Sequence, residues 1–180
     1  MQLEIVGHIS CANWIPTKLS ISEIVATLNL QNLVECTFEE GLLKVHTNNR
    51  QENSTAILIS PTIASWNLIM GCQLQDVELA KDFTTKLSKI EGQSFALGID
   101  IWCGYYSWMY SVDGKLMRYY SFDDGEIEEV GQKTIADECI KDCNHDECVM
   151  RLSKTFGLDM DLISTDDLYE KAFIAMFSRE

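Results

Sequence analysis

An α+β fold with a mainly antiparallel sheet, an amphipathic helix and a helical C-terminal segment is what the order of patterns along this chain predicts. Three observations carry that reading. Asp113-Gly114 stands between two strand-like aromatic runs, and a two-residue Asp-Gly link is a favoured type I′ hairpin turn because both positions accept positive φ. Residues 76–90 place Val77, Leu79, Ala80, Phe83, Leu87 and Ile90 near the helical period, with Glu78, Lys81, Asp82, Lys86 and Lys89 outward. Strand-like and helix-like segments otherwise mix without regular βαβ alternation, which argues against a parallel sheet.

In chain order, 3–9 reads as a first strand, and Ser20 or Ser22 caps a helix through Glu23, Ile24, Val25 and Leu28 that stops at 29–32. Residues 33–38 and 42–47 read as strands joined at Glu39-Glu40-Gly41, with 55–60 as a third, a meander pattern. The apolar run 66–71, bounded by Pro61 and Gly71, is short enough for a buried strand. Gly92 ends the amphipathic helix and 94–103 returns as a strand in which Asp100 is the charged exception.

Counting outward from Asp113-Gly114 pairs Val112 with Lys115, Tyr110 with Met117, Trp108 with Tyr119 and Tyr106 with Ser121 on a core face. Ser111, Met109, Ser107 and Tyr105 then lie opposite Leu116, Arg118, Tyr120 and Phe122 on a mixed face open to solvent or to a partner. A short strand at 126–130 follows. Helical patterns then cover 134–143, 147–156 with Gly157 as the stop, and 165–177.

With 180 residues, 46% of them hydrophobic, two prolines and no Gly/Ser-rich linker, the expectation is a single α+β domain over 1–180 whose 132–180 portion is a mainly helical extension. The opening MQLEIVGHIS lacks a basic region followed by a long apolar stretch, and no run approaches the roughly 20 apolar residues of a membrane span. A soluble, cytoplasmic protein is expected. The net charge of −14 and pI near 4.5 disfavour nucleic acid, whose phosphates would be repelled, and favour a basic protein partner. Acidity also serves plain solubility.

The seven cysteines are odd in number and mostly lie in apolar runs, as expected of reduced thiols. Cys139, Cys143, His145 and Cys148 supply four soft ligands within ten residues, which zinc accepts. Their C-x3-C-x-H-x4-C spacing departs from that of fingers and ribbons, and the favoured reading is thiols on two helices with no metal. His8, His46 and His145 are the three histidines, and no G-x-S-x-G, P-loop, H-E-x-x-H or G-x-G-x-x-G pattern accompanies His8 or His46. No cofactor is implied. Asp123 and Glu126 form a carboxylate pair of the kind glycoside hydrolysis uses, although an acidic hairpin tip explains them as well.

Asp123, Asp124, Glu126, Glu128 and Glu129 follow an aromatic strand bearing Tyr120 and Arg118. One reading is a solvated turn that blunts an edge strand. The other is a surface where carboxylates steer a basic protein and the aromatic residue anchors it.

The order W-x4-G (66–71), amphipathic helix (76–90), G-x-x-F (92–95), W-x-Y (108–110), D-G-x-L-x-R-x-Y from Asp113 and D-G-E-x4-G (124–131) resembles a group of bacterial cytosolic proteins. That resemblance spans a third to a half of the chain. Some of those proteins are immunity proteins that neutralise a partner toxin, so the resemblance implies an inhibitor rather than an enzyme and supplies no catalytic residues. The function expected is a non-catalytic binding module of this kind. The alternatives are an enzyme using Asp100, Tyr105, Arg118 and nearby carboxylates in a cleft beside the hairpin, or a subunit of an assembly docked through an apolar helix at 168–177.

Overall fold

The computed structural model describes residues 11–47, 55–100, 103–139, 145–158 and 166–178. Nine strands form one sheet: β1 (Cys11–Thr17), β2 (Gln31–Thr37), β3 (Ala56–Ile59), β4 (Asn67–Met70), β5 (Gln93–Asp100), β6 (Tyr105–Val112), β7 (Lys115–Asp123), β8 (Glu126–Gly131) and β9 (Lys171–Met176). Their spatial order is β2-β9-β3-β4-β1-β5-β6-β7-β8, with every neighbouring pair antiparallel. The helices are α1 (Ile21–Leu28), α2 (Phe38–Thr47), α3 (Val77–Glu91), α4 (Ile135–Cys139) and α5 (His145–Thr155). The α+β class with a mainly antiparallel sheet is therefore the observed one.

Both faces of the sheet carry core. On one, Phe38, Leu42 and Val45 of α2, Ala136 of α4 and Val149 and Leu152 of α5 pack on Trp14, Leu58, Leu68, Leu97 and Trp108. On the other, Ile24 and Leu28 of α1 and Ala80, Phe83 and Leu87 of α3 pack on Ile15, Ile57, Ile69, Ala96 and Met109. Alternation along each strand feeds both layers, which is why central strands such as β3 and β4 are apolar throughout.

The caps that start the helices are local chemistry. Ser20 and Glu23 form a reciprocal capping box on α1, and Asp76 accepts from the amides of Glu78 and Leu79 at the start of α3. Gly92, at φ 81°, ends α3 as expected.

Three sequence expectations are corrected. Residues 42–47 belong to helix α2, not a strand, and the signal was present: Thr37 Oγ1 accepts from the Glu40 amide while Glu40 Oε2 accepts from the Thr37 amide, a capping box just ahead of Phe38. Gly41 then allows α2 to lie against Leu58, whose side chain occupies the space of any Cβ there. The described part of 165–177 does not form an α-helix. Asp166–Tyr169 is a single 3₁₀ turn and Lys171–Met176 is β9, inserted between β2 and β3. A short apolar run buried on both faces has no diagnostic period. Among the described residues the C-terminal segment is helical at Ile135–Cys139 and His145–Thr155, and Lys171–Met176 is a strand of the sheet instead of part of a docking helix at 168–177. The 33–38, 42–47, 55–60 meander is likewise absent, since β9 separates β2 from β3.

Strand β1 has no counterpart among the expected elements, and it contains Pro16. Its pairing with β5 ends at Trp14 while pairing with β4 continues to Thr17, so Pro16 lies where one flank is already open. The strand expected at 3–9 falls outside the described residues.

Candidate functional site

The aromatic hairpin forms, with one change of register that decides what each of its faces does. Asp113 and Gly114 take φ of 46° and 77°, as a type I′ turn requires, and Val112 pairs with Lys115. A bulge follows immediately. Ser111 pairs with Leu116 but Tyr110 pairs with Arg118, leaving Met117 as the extra residue. Trp108 consequently faces Tyr120, not Tyr119, and Tyr106 faces Phe122 instead of Ser121. The expected pairing is off by one residue from Met117 onward, and a one-residue slip sends every later side chain to the other face.

The consequence is greatest for Arg118. It faces the layer of α4 and α5, only 1% exposed. Its Nη2 donates to Glu129 Oε2 at 2.6 Å and to Asp137 Oδ1 at 2.8 Å, and its Nε donates to Asp137 Oδ1 at 3.0 Å. The guanidinium lies 5.8 Å from the Trp108 ring and 6.0 Å from the Tyr120 ring. Asp137 also accepts from the Thr134 amide at 2.6 Å. Burial opposes ionisation of Asp137, but the Arg118 and Thr134 hydrogen bonds outweigh it and hold the carboxyl below its usual range. Burial likewise works against the Arg118 charge, and Asp137 and Glu129 more than compensate. Arg118 is therefore an interior residue that fastens β7 and β8 to α4, not a surface contact.

The second turn, Asp124-Gly125, has φ of 44° and 92° and joins β7 to β8 with Asp123 opposite Glu126. β8 is the last strand of the sheet, and all six of its residues are exposed. Asp123, Asp124, Glu126, Glu128 and Glu129 are all on the surface. Among the described residues, Glu129 is the member of this group held in an ion pair, and no lysine or arginine pairs with the other four. Exposed Ile127 and Val130 interleave with the carboxylates. Tyr120 is half-buried, its ring stacked 6.5 Å from that of Trp108, so an edge rather than a free ring borders the acidic strand.

The residues named for the enzyme alternative are not brought together among the described residues. Asp100 and Tyr105 are cross-strand partners on the α3 face, where the Tyr105 hydroxyl donates to Ser107 Oγ at 2.9 Å, while Arg118 lies on the opposite face of the sheet. Asp123 and Glu126 stand at an exposed tip. A cleft of about 430 Å³ between α1 and α3 contains Asp76, Glu78, Asp82 and Lys86. Each acid there is committed: Asp76 caps α3, Glu78 pairs with Lys81 and Asp82 with Lys86. A cavity of about 10 Å³ beside Asn13, Tyr105 and Ser107 has room for about one water.

Among the described residues no group of three or more metal-ligating side chains converges. Cys148, on α5, is buried. Cys143 and the side chains of Cys139 and His145 fall outside the described part, as do His8 and the side chain of His46. None of Cys36, Cys72, Cys103 and Cys148 is in a disulfide. No described helix is long and apolar enough to cross a membrane. No family model, curated protein or solved structure matches this chain.

Proposed function

We propose that this chain is a non-catalytic binding module that recognises a basic protein through the acidic β7–β8 hairpin, and that it acts as a cytoplasmic immunity-type inhibitor of a bacterial toxin. The observation that carries the binding reading is the fully exposed edge strand β8 with its turn, presenting Asp123, Asp124, Glu126 and Glu128 without cationic partners among the described residues. Four like charges held this close are mutually unfavourable, and a cationic surface relieves that repulsion. The inhibitor role rests on the sequence resemblance, and the unbridged cysteines suit a reducing compartment.

Affinity capture from the native cell, followed by mass spectrometry, is expected to yield one dominant basic protein. Its association rate should fall as salt rises, because exposed charges are screened beyond roughly 8 Å at physiological ionic strength. Replacing Asp123, Asp124 and Glu126 by lysine should slow association about tenfold or more at low salt, with folding checked by circular dichroism. Unchanged rates in that variant remove the hairpin from the interface, and capture of no protein overturns the binding reading.

A further inference from the structure

Among the described residues the sheet ends in two edge strands, β2 and β8, and they differ. β2 is irregular: its register shifts between Gln31 and Val34, and Asn32 takes φ 53°. Such a break spoils an edge as a template for another strand. β8 pairs without interruption from Asp123↔Glu126 to Arg118↔Gly131, and among the described residues no strand pairs with its outer side. Its two-residue turn makes Asp123↔Glu126 a hydrogen-bonded pair, so Glu126, Glu128 and Val130 direct their main chain to β7. The N–H and C=O groups of Ile127 and Glu129 therefore point outward.

We infer that β8 accepts an extended basic segment of the partner as a tenth, antiparallel strand, an inference that rests on the hairpin being the face for a basic protein. The side chains select the occupant. Glu126 and Glu128 share one face of the strand and Ile127 lies on the other, where Glu129 is already engaged by Arg118. An incoming strand that alternates cationic and apolar residues satisfies both faces at once: lysine or arginine over Glu126 and Glu128, an apolar residue over the 61% exposed Ile127. A second copy of β8 fits badly, since it brings glutamates against glutamates.

The test uses the full chain, isotopically labelled, with a short synthetic peptide of alternating lysine and valine. Binding should slow amide exchange at Ile127 and Glu129, whose N–H groups point outward. In the antiparallel register the valines exchange main-chain bonds with β8, so N-methylating them should weaken binding about tenfold, whereas N-methylating the lysines should change it less than about twofold. A glutamate–valine peptide should not bind wild type and should bind the Glu126→Lys/Glu128→Lys variant. If the lysine–valine peptide binds in a salt-sensitive manner but tolerates N-methylvaline and leaves the Ile127 and Glu129 amides unchanged, strand addition is overturned while the acidic-face reading stands. If that peptide fails to bind although capture yields a partner dependent on Asp123 and Glu126, strand addition is again overturned. Failure of both capture and peptide removes the functional reading itself.

Discussion

Replacing Arg118 by methionine tests whether β7, β8 and α4 are fastened by one interior cation. Methionine retains much of the aliphatic volume, so little of the effect comes from a cavity. What is lost is the counter-charge of Asp137, whose side chain is 11% exposed, and of Glu129, which is 49% exposed. Stranding one partner of a buried pair costs about 3–5 kcal/mol. Glu129 rejoins solvent cheaply and Asp137 keeps its Thr134 donors, so the lower end applies, about 3 kcal/mol at pH 7. For a chain of this size that lowers Tm by about 6–12 °C. The pH dependence distinguishes charge from packing. The folded-state pKa of Asp137 lies below its unfolded value of about 3.9, so its contribution is fully present above that value and is lost as pH falls through the folded pKa. Urea midpoints for wild type and Arg118→Met should therefore be far apart at pH 7 and converge below about pH 4. Adding Asp137→Leu to Arg118→Met should recover much of the stability by removing the stranded carboxylate. A gap below about 1 kcal/mol at pH 7, or one of equal size at pH 7 and pH 3, would refute the reasoning.

Four further outcomes follow from the hairpins and their neighbours. Gly131, at φ 85°, has the Met117 carbonyl where a Cβ would sit, so Gly131→Ala should lower stability by about 2 kcal/mol or more, measured by urea unfolding. Gly125→Ala, at φ 92° with open space around it, should cost only about 1 kcal/mol. Cys103 is exposed, yet the Asp100 charge, slight burial, an Asp100 hydrogen bond and the Asp123 charge push its pKa up; Asp100→Asn should accelerate its alkylation at pH 8. Glu129→Lys should destabilise the fold measurably because it places a cation beside Arg118, whereas Glu128→Lys should leave Tm within about 2 °C.

Local signals were legible wherever one short-range interaction dominates. The Ser20 cap, the α3 stripe, the Gly92 stop and both two-residue turns are decided within a few residues, and each could be read from the chain. Strand β9 could not: its place depends on β2 and β3, segments more than a hundred residues away, and its run of Ala172 to Ala175 fits a buried helix equally well. The acidic strand was legible as a composition feature, but its position at the sheet edge is a property of the topology alone.

Met117 shows how little sequence separates an interior residue from a surface one. Without the bulge, Arg118 would share the face of Ser111, Met109 and Ser107, packed by α3, where no Asp137 waits for it. Inserting one residue turns Arg118, Tyr120 and Phe122 toward Tyr110, Trp108 and Tyr106 and toward α4, and it turns Tyr119 into the α3 core. Gly131 is required opposite the bulge, where only a residue lacking Cβ clears the Met117 carbonyl. The inner end of β8 is therefore locked, by Gly131 against Met117 and by Glu129 on Arg118. The turn-proximal end, from Asp123 to Glu128, carries no cationic partner among the described residues, and it is this end that the proposed cationic strand would meet.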